Sequence, residues 1–328
     1  MTKELNSVAD VTVFLKGEPE VFVVCDKNVE WVFQAACPDL PHLFLEATEG
    51  NKTMQTAENI GRWLLQQNAS RNALLLAIGG GITTDIAGFA AGIYKRGIRY
   101  MNLPTTVLAQ VDAAIGGKTG VNLDGYKNIL GLFHQPEYTF ICPEVLKTLP
   151  EREYRAGLAE LLKTLLLENG NAYESALSDI QTRKSLGRWI ALAASIKEAI
   201  VAEDPYEHGI RAKLNLGHTF AHAIEHEAHK QGEDIHHGEA VAMGIILAAR
   251  LSEAREIAQT GLAKRLAADF EAIGLPTTSP YPLDVLKEAM AKDKKALGGG
   301  KVKFVLPVRP GEVIFAELNP DDLYFPAE

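Results

Sequence analysis

Cysteine is scarce in this chain. The three present, Cys25, Cys37 and Cys142, form no CxxC pair and sit in apolar surroundings, which excludes a disulfide framework and points to buried thiols in a reducing compartment. Positive charge is also in short supply: 33 Lys and Arg stand against 42 Asp and Glu, giving a net charge of −9 and a pI near 5.6. Nucleic acid and anionic membranes are therefore excluded as partners, and any anionic substrate needs cations gathered locally. No apolar run reaches the roughly 18 residues of a membrane span. The opening MTKELNSVADVTVFLKG lacks the apolar core of a secretory signal, so a cytoplasmic location is expected. Internal repeats and low-complexity tracts are missing too.

What is present is ordinary for a soluble globular protein. At 328 residues, 47% hydrophobic and 23% charged, the chain has material for two domains or one large one. Short apolar runs, VTVFLKG, VFVVCD, LFLEA, ALLLAIGG, YMNLPTT and YTFICP, read as strands. Thr53–Gln67 and Thr84–Gly92 read as helices between them. That alternation predicts a mostly parallel α/β layer. Beyond Pro150 the pattern turns helical, with segments starting near Glu151, Leu186, Arg211, Gly238 and Gly261, and a hairpin over Val302–Phe315. The domains expected are thus 1–150 and 151–328.

Gly79-Gly80-Gly81 closes one strand and opens a helix, a junction where backbone N–H groups and the helix dipole favour a phosphate. Thr84 stands where the dinucleotide fingerprint GxGxxG has its third glycine. Asp85 in the first turn suits backbone capping or a ribose contact. Asp26, ending VFVVCD, occupies a strand end where α/β proteins bind nucleotides. Gly116-Gly117-Lys118-Thr119-Gly120 looks like half a P-loop but follows a helix instead of a strand, so it reads as a flexible loop presenting Lys118 to an anion, with Lys127 and Asn128 nearby.

The stretch RAKLNLGHTFAH, Arg211–His222, reads as one amphipathic helix. Arg211, Asn215, His218 and His222 recur at spacings of four, three and four, which places them on one helical face. Gly217 costs such a helix stability unless a neighbour approaches closely. Thr219 stands where an HExxH protease carries its Glu, so that site is rejected. A second histidine pair, His236-His237, leads into another apolar run.

Seven blocks in order carry a resemblance: GGGITTDIAGFAAGIYKRG, PTTVLAQVDAAIGGKTGVN, YKNILGLF, LKTLPEREYRAGLAELLK, GIRAKLNLGHTFAHAIE, HGEAVAMG and DKK. Together the sequence resembles the 3-dehydroquinate synthases, members of the sugar-phosphate cyclase superfamily, over residues 79–250 almost continuously. The resemblance implies an α/β Rossmann-like N-terminal domain that binds NAD and an all-α C-terminal domain that binds metal and substrate. It implies one Zn²⁺, with Co²⁺ an alternative, held by Glu160, His218 and His237. One carboxylate and two imidazoles leave positions open for substrate hydroxyls, as in catalytic zinc sites. For NAD it implies Asp26, Asn28, Glu49, Lys52, Gly80, Gly81, Ile82, Thr83, Thr84, Asp85, Thr105, Thr106, Lys118, Lys127 and the segment Val145, Leu146, Lys147, Thr148. For catalysis it implies Lys118, Lys163, Lys197, Glu207, Arg211, Asn215 and His222. Arg96, Asp112, Asn128 and Lys294 bind substrate, with Arg96 donated across a homodimer. Thr84 replaces a common family glycine, and the usual Asp-Glu pair reads Asp204-Pro205 here.

The implied reaction is conversion of 3-deoxy-D-arabino-heptulosonate 7-phosphate to 3-dehydroquinate and phosphate in the shikimate route. Transient oxidation by NAD acidifies a proton, phosphate leaves, the hydride returns, and an aldol closure forms the ring. NAD is regenerated each turn. Three rivals share parts of this pattern. A sister cyclase departs at residues facing the substrate carboxylate, whereas Asn215, His222 and Asp293-Lys294-Lys295 are intact here. A polyol dehydrogenase of related fold would accumulate NADH. A non-catalytic nucleotide scaffold would have lost a metal ligand, and none is lost.

Overall fold

The computed structural model describes residues 1–182, 184, 186–297 and 301–325, the side chains of 292–297 excepted. Contacts group the chain into two compact units: Met1–Tyr154 with Ile190–Tyr206, and Arg155–Trp189 with Glu207–Glu328.

The first unit holds β1 (Thr2–Glu4), α1 (Val11–Leu15), β2 (Val21–Asp26), α2 (Glu30–Ala36), β3 (His42–Leu45), α3 (Met54–Gln66), β4 (Leu74–Gly79), α4 (Gly81–Ile93), β5 (Arg99–Pro104), β6 (Lys118–Leu123), β7 (Tyr126–Phe133) and β8 (Thr139–Ile141). Six strands form one parallel sheet in the order β1-β8-β5-β4-β2-β3. Alternate residues of β2 and β4 feed two cores. Val21, Val23, Leu74, Leu76 and Ile78 pack with Val32 and Phe33 of α2, while Phe22, Val24, Leu75 and Ala77 pack with α3 and α4. Burial on both faces is why these strands read as unbroken apolar runs. The chain places β3 on one side of β2 and then β4 on the other, so the topology reverses between β2 and β4, the position where open α/β sheets bind ligands.

Two segments depart from the sequence reading. VTVFLKG is not a strand, because Val11–Leu15 is helical. The Asp10 carboxylate accepts from the backbone N–H groups of Asn6 and Ser7, fixing a helical entry that outweighs the β-branched run. Gly116–Gly120 is not a free loop, because Lys118 opens β6, which pairs antiparallel with β7. Asp124 and Gly125, both with positive φ, make the hairpin turn. Gly120 and Gly131 face each other across the pair, and a Cβ on either would meet the opposite backbone at 2.7–2.8 Å.

The second unit is helical apart from one hairpin. α5 (Glu151–Glu168) starts at the unit boundary and α6 (Gly170–Gln181) follows. α7 (Gly187–Glu203) begins in this unit and runs into the first. Then come α8 (His218–Gln231), α9 (His237–Ala254), α10 (Leu262–Glu271), α11 (Leu283–Leu297) and the antiparallel strands β9 (Val302–Arg309) and β10 (Glu312–Leu318), turning at Pro310-Gly311 as their pattern predicts. α6 and α11 went unread in the sequence. α6 is entered through Asn169, whose side chain accepts from Ala172 N–H.

Arg211–His222 is not one helix. A 3₁₀ segment, Ile210–Asn215, ends before Gly217, which takes φ 77° and starts α8 at His218. The physical reason is close packing: a Cβ on Gly217 would lie 2.8 Å from the backbone nitrogen of Ile245 in α9, and Gly244 in turn abuts the Gly217 carbonyl. Gly238, one residue into α9, lies against the carbonyl of Ala156 in α5. Glycines therefore set the approach of α5, α8 and α9. Gly238→Ala should destabilise the protein by about 1–3 kcal/mol or more, through overpacking against backbone. Gly50→Ala, whose Cβ meets nothing within 4 Å, should stay within about 0.5 kcal/mol. Urea unfolding of both checks this, and equal effects would refute it.

Candidate functional site

The three helices brought together by those glycines each supply one side chain to a buried cluster. Glu160 comes from α5, one turn beyond Ala156; His218 and His237 are the first residues of α8 and α9. Their ligand atoms all lie within 4.8 Å of one another. His218 Nε2 is 3.6 Å and His237 Nε2 3.5 Å from the same Glu160 oxygen, Oε1. Glu160 is wholly buried, and neither carboxylate oxygen has a hydrogen bond of good geometry. The Lys163 ammonium, itself 1% exposed, lies against it, with Nζ 2.5 Å from Oε2.

Burial alone would raise the Glu160 pKa, but Lys163 and the two imidazoles reverse that and hold it well below the usual carboxylate range. Burial and the Lys163 charge push His218 down to about 3. Burial also disfavours a charged His237, yet the Glu160 and Glu225 carboxylates facing its two ring nitrogens outweigh it and raise that ring to about 10. Each imidazole directs Nδ1 at an acceptor, Leu216 O at 3.2 Å for His218 and Glu225 Oε2 at 3.4 Å for His237. Both rings thus turn Nε2 toward the buried carboxylate. A carboxylate without hydrogen bonds and two aligned Nε2 atoms fit one divalent cation.

His236 stands apart as the α9 N-cap, its backbone N–H donating to Glu239 at 3.0 Å. His222 is one turn along α8, its ring centre 5.6 Å from that of His218. Asn215 donates to Glu207 at 2.8 Å, and Arg211 is 2% exposed in the 3₁₀ segment before α8. Lys294 lies on α11, and its side chain is outside the described residues.

In the first unit part of the expected nucleotide set, Asp26, Asn28, residues 80–85, Thr105 and Thr106, lies at the carboxyl ends of β2, β4 and β5. Asp26 ends β2 and accepts from Asn28 N–H at 3.0 Å, so it also caps its own turn. Gly80 is the N-cap of α4 and Gly81 its first residue. Ile82, Thr83 and Thr84 complete the first turn, with the Thr83 hydroxyl buried and lacking a hydrogen-bond partner. Thr84 Oγ1 instead donates to Gly81 O at 3.1 Å, so the residue that replaces the family glycine is satisfied locally. Thr105 N–H donates to Gly79 O at 2.9 Å, and Thr106 Oγ1 accepts from Ala109 N–H at 3.1 Å.

Lys52 joins elements far apart in sequence. Its Nζ lies 2.5 Å from both Asp85 Oδ2 and Asn128 Oδ1. Burial pushes Asp85 up to about 6 despite Lys52. Glu49 accepts from Asn122 Nδ2 at 2.7 Å, and Lys197 Nζ donates to Asp112 Oδ1 at 2.6 Å. Lys118 and Lys127 lie on β6 and β7. Val145 is a core side chain with Leu146 packed beside it. Lys147 pairs with Glu144 on the surface, and Thr148 accepts from Trp31 Nε1 at 3.1 Å.

The residue sequence reasoning missed is Glu225. Its signal was there: His218, His222 and Glu225 continue the helical stripe at spacings of four and three.

Known proteins share this architecture. 2-epi-5-epi-valiolone synthase from Streptomyces hygroscopicus, solved with NAD⁺ and Zn²⁺ bound, matches with TM-score 0.86 and 26% identity, over 96% of this chain and 92% of that one. A 2-deoxy-scyllo-inosose synthase complexed with carbaglucose-6-phosphate, NAD⁺ and Co²⁺ matches with TM-score 0.84 and 25% identity, over 98% and 94%. Fold and cluster together define a cyclase of this architecture. The N-terminal 3-dehydroquinate synthase family domain matches residues 42–156 and the C-terminal one residues 157–296. The 3-dehydroquinate synthase of Shewanella loihica is 40% identical over 296 residues, 88% of this chain and 80% of that protein. That of Rhizobium rhizogenes is 37% identical over 327 residues, 94% and 86%. The chain belongs to the 3-dehydroquinate synthase family and is a carbon–oxygen lyase.

The Glu160–Lys163 pair yields a direct test in the metal-free protein. Lys163→Met leaves a buried carboxylate without its close cation and should cost about 3–5 kcal/mol in denaturant unfolding. Adding Glu160→Gln should recover more than half of that loss. A Lys163→Met protein as stable as wild type would show that the pair is not a buried ion pair.

Proposed function

We propose that the chain converts 3-deoxy-D-arabino-heptulosonate 7-phosphate to 3-dehydroquinate and phosphate, with catalytic NAD and one Zn²⁺, as part of aromatic amino acid biosynthesis in the cytoplasm. The observation that carries the metal reading is the wholly buried Glu160 carboxylate, unhydrogen-bonded and faced by two Nε2 atoms. We assign NAD to residues 1–150, at the strand ends beside the α4 glycine turn, and metal and most of the substrate to residues 151–328. When bound, NAD accepts and returns a hydride and the metal polarises the hydroxyl that is oxidised.

The chain's own residues supply positioning and charge. Gly80 and Gly81 open α4, packed close to Thr106 and Ala113, and present the helix N-terminus, where the dipole favours the pyrophosphate anion. Lys52 fixes Asp85 for the ribose side of the cofactor and at the same time holds Asn128. Lys118, Lys163, Lys197, Arg211 and Lys294 offset the substrate carboxylate and phosphate in a chain of net charge −9. Glu207 orients Asn215, and Lys197 orients Asp112. No helix among the described residues is long and apolar enough to cross a membrane.

Purified protein should release phosphate from the heptulosonate phosphate with substoichiometric NAD, without net NADH, and a chelator should abolish this. NADH accumulating with a simple polyol, and no phosphate release, would favour the dehydrogenase instead.

A homodimer is proposed for Arg96. It lies after the C-terminal end of α4, about 20 Å along a helix of thirteen residues from the glycine turn at the other end. Arg96 therefore serves the site of a second copy. Arg96→Ala and Lys163→Ala subunits, each inactive alone, should regain up to about a quarter of wild-type activity when mixed, since random pairing puts one intact site in each hybrid. Hybrids without activity would refute the sharing.

A further inference from the structure

Glu225 has no part in the functional reading so far. It sits on α8, seven residues after His218, with its side chain 12% exposed. Its Oε2 is 3.4 Å from His237 Nδ1, while His237 Nε2 faces Glu160 Oε1 at 3.5 Å. The imidazole of His237 thus stands between two carboxylates, one on each ring nitrogen. A carboxylate only accepts, so when a cation displaces the proton from Nε2, the Nδ1 proton stays on the Glu225 side and Nε2 offers the cation its lone pair. The other imidazole has a weaker version of the same support: His218 Nδ1 faces a backbone carbonyl, Leu216 O, at 3.2 Å.

We propose that Glu225 is a positioning residue for the metal: it sets the tautomer and ring orientation of His237. The inference rests on reading Glu160, His218 and His237 as the ligand set. The support is needed at His237 more than at His218. His237 is the first residue of α9, with its side chain 30% exposed, whereas that of His218 is 12% exposed and closer packing restrains it. A competing role exists. A carboxylate close to the first turn of α9 also stabilises that helix through its dipole, with no bearing on a metal.

The two roles separate by measuring Co²⁺ binding, with Co²⁺ as both ligand and spectroscopic probe, to the full chain under conditions where every variant is folded. Glu225→Ala should weaken Co²⁺ affinity by about 10–100-fold and alter the visible Co²⁺ spectrum, the range typical of losing such a partner. Glu225→Gln keeps an acceptor for Nδ1–H at nearly the same size. It should show a wild-type-like spectrum and a smaller loss of affinity than Ala. His237→Ala should lose more than either. Wild-type affinity and spectrum in Glu225→Ala, with only unfolding stability lowered, would assign Glu225 to the helix and overturn the proposal. Equal losses for Gln and Ala would reduce its effect to bare charge and overturn it as well. Equal Co²⁺ binding by wild type and His237→Ala would instead show that the ligand set is wrong.

Discussion

The Glu160 carboxylate is the constraint around which the second unit is arranged. Taking a carboxylate wholly out of water costs several kcal/mol even after relaxation, and Lys163 three residues along the same helix offsets only part of it. The remaining compensation has to come from other helices, so His218 and His237 must arrive at one oxygen from α8 and α9. Helix starts are suitable places for them, because a first-turn side chain leaves the helix near a fixed point. Reaching that point demands backbone-to-backbone approach, and Gly217, Gly244 and Gly238 permit it where any Cβ would collide. The polar centre thus dictates the small residues in the helix interface. A lysine and two imidazoles around one buried acid make a costly arrangement for stability alone, and a comprehensible one if a dication completes it.

The first unit solves a different problem, that of bringing backbone donors and a few polar side chains to one end of a sheet. Parallel strands do this through topology: β2, β4 and β5 all end at the same edge, and the reversal between β2 and β4 leaves the crevice there. Lys52 then links α4 to β7 by bonding Asp85 and Asn128. Residues assigned to cofactor and to substrate are consequently held by one ammonium group, and a shift in either is felt by the other.

Much of this was legible in the residues, for reasons that differ by element. Buried parallel strands announce themselves as apolar runs, so VFVVCD, ALLLAIGG and YMNLPTT were readable, as was the hairpin at Pro310-Gly311. The break inside Arg211–His222 was not, because a 3₁₀ turn followed by an α-helix preserves spacings of three and four almost unchanged. Only the left-handed Gly217 interrupts it, and its need is tertiary. The pairing of Gly120 with Gly131 was likewise hidden, since a glycine that allows two strands to approach looks in sequence like one that frees a loop. VTVFLKG misled because a carboxylate three residues after Ser7 set the backbone before β-propensity could act. Glu160, His218 and His237 lie 58 and 19 residues apart in the chain, too far for any local spacing rule. Family resemblance named them together, and the folded chain brings their ligand atoms within 4.8 Å.

The central claim, that this cluster holds one catalytic divalent ion, is tested most directly by anomalous diffraction at the zinc edge from crystals grown with Zn²⁺. The account predicts a single strong peak about 2.0–2.2 Å from a Glu160 oxygen, His218 Nε2 and His237 Nε2. No peak there, or one bound elsewhere while Glu160 keeps only Lys163, would contradict it.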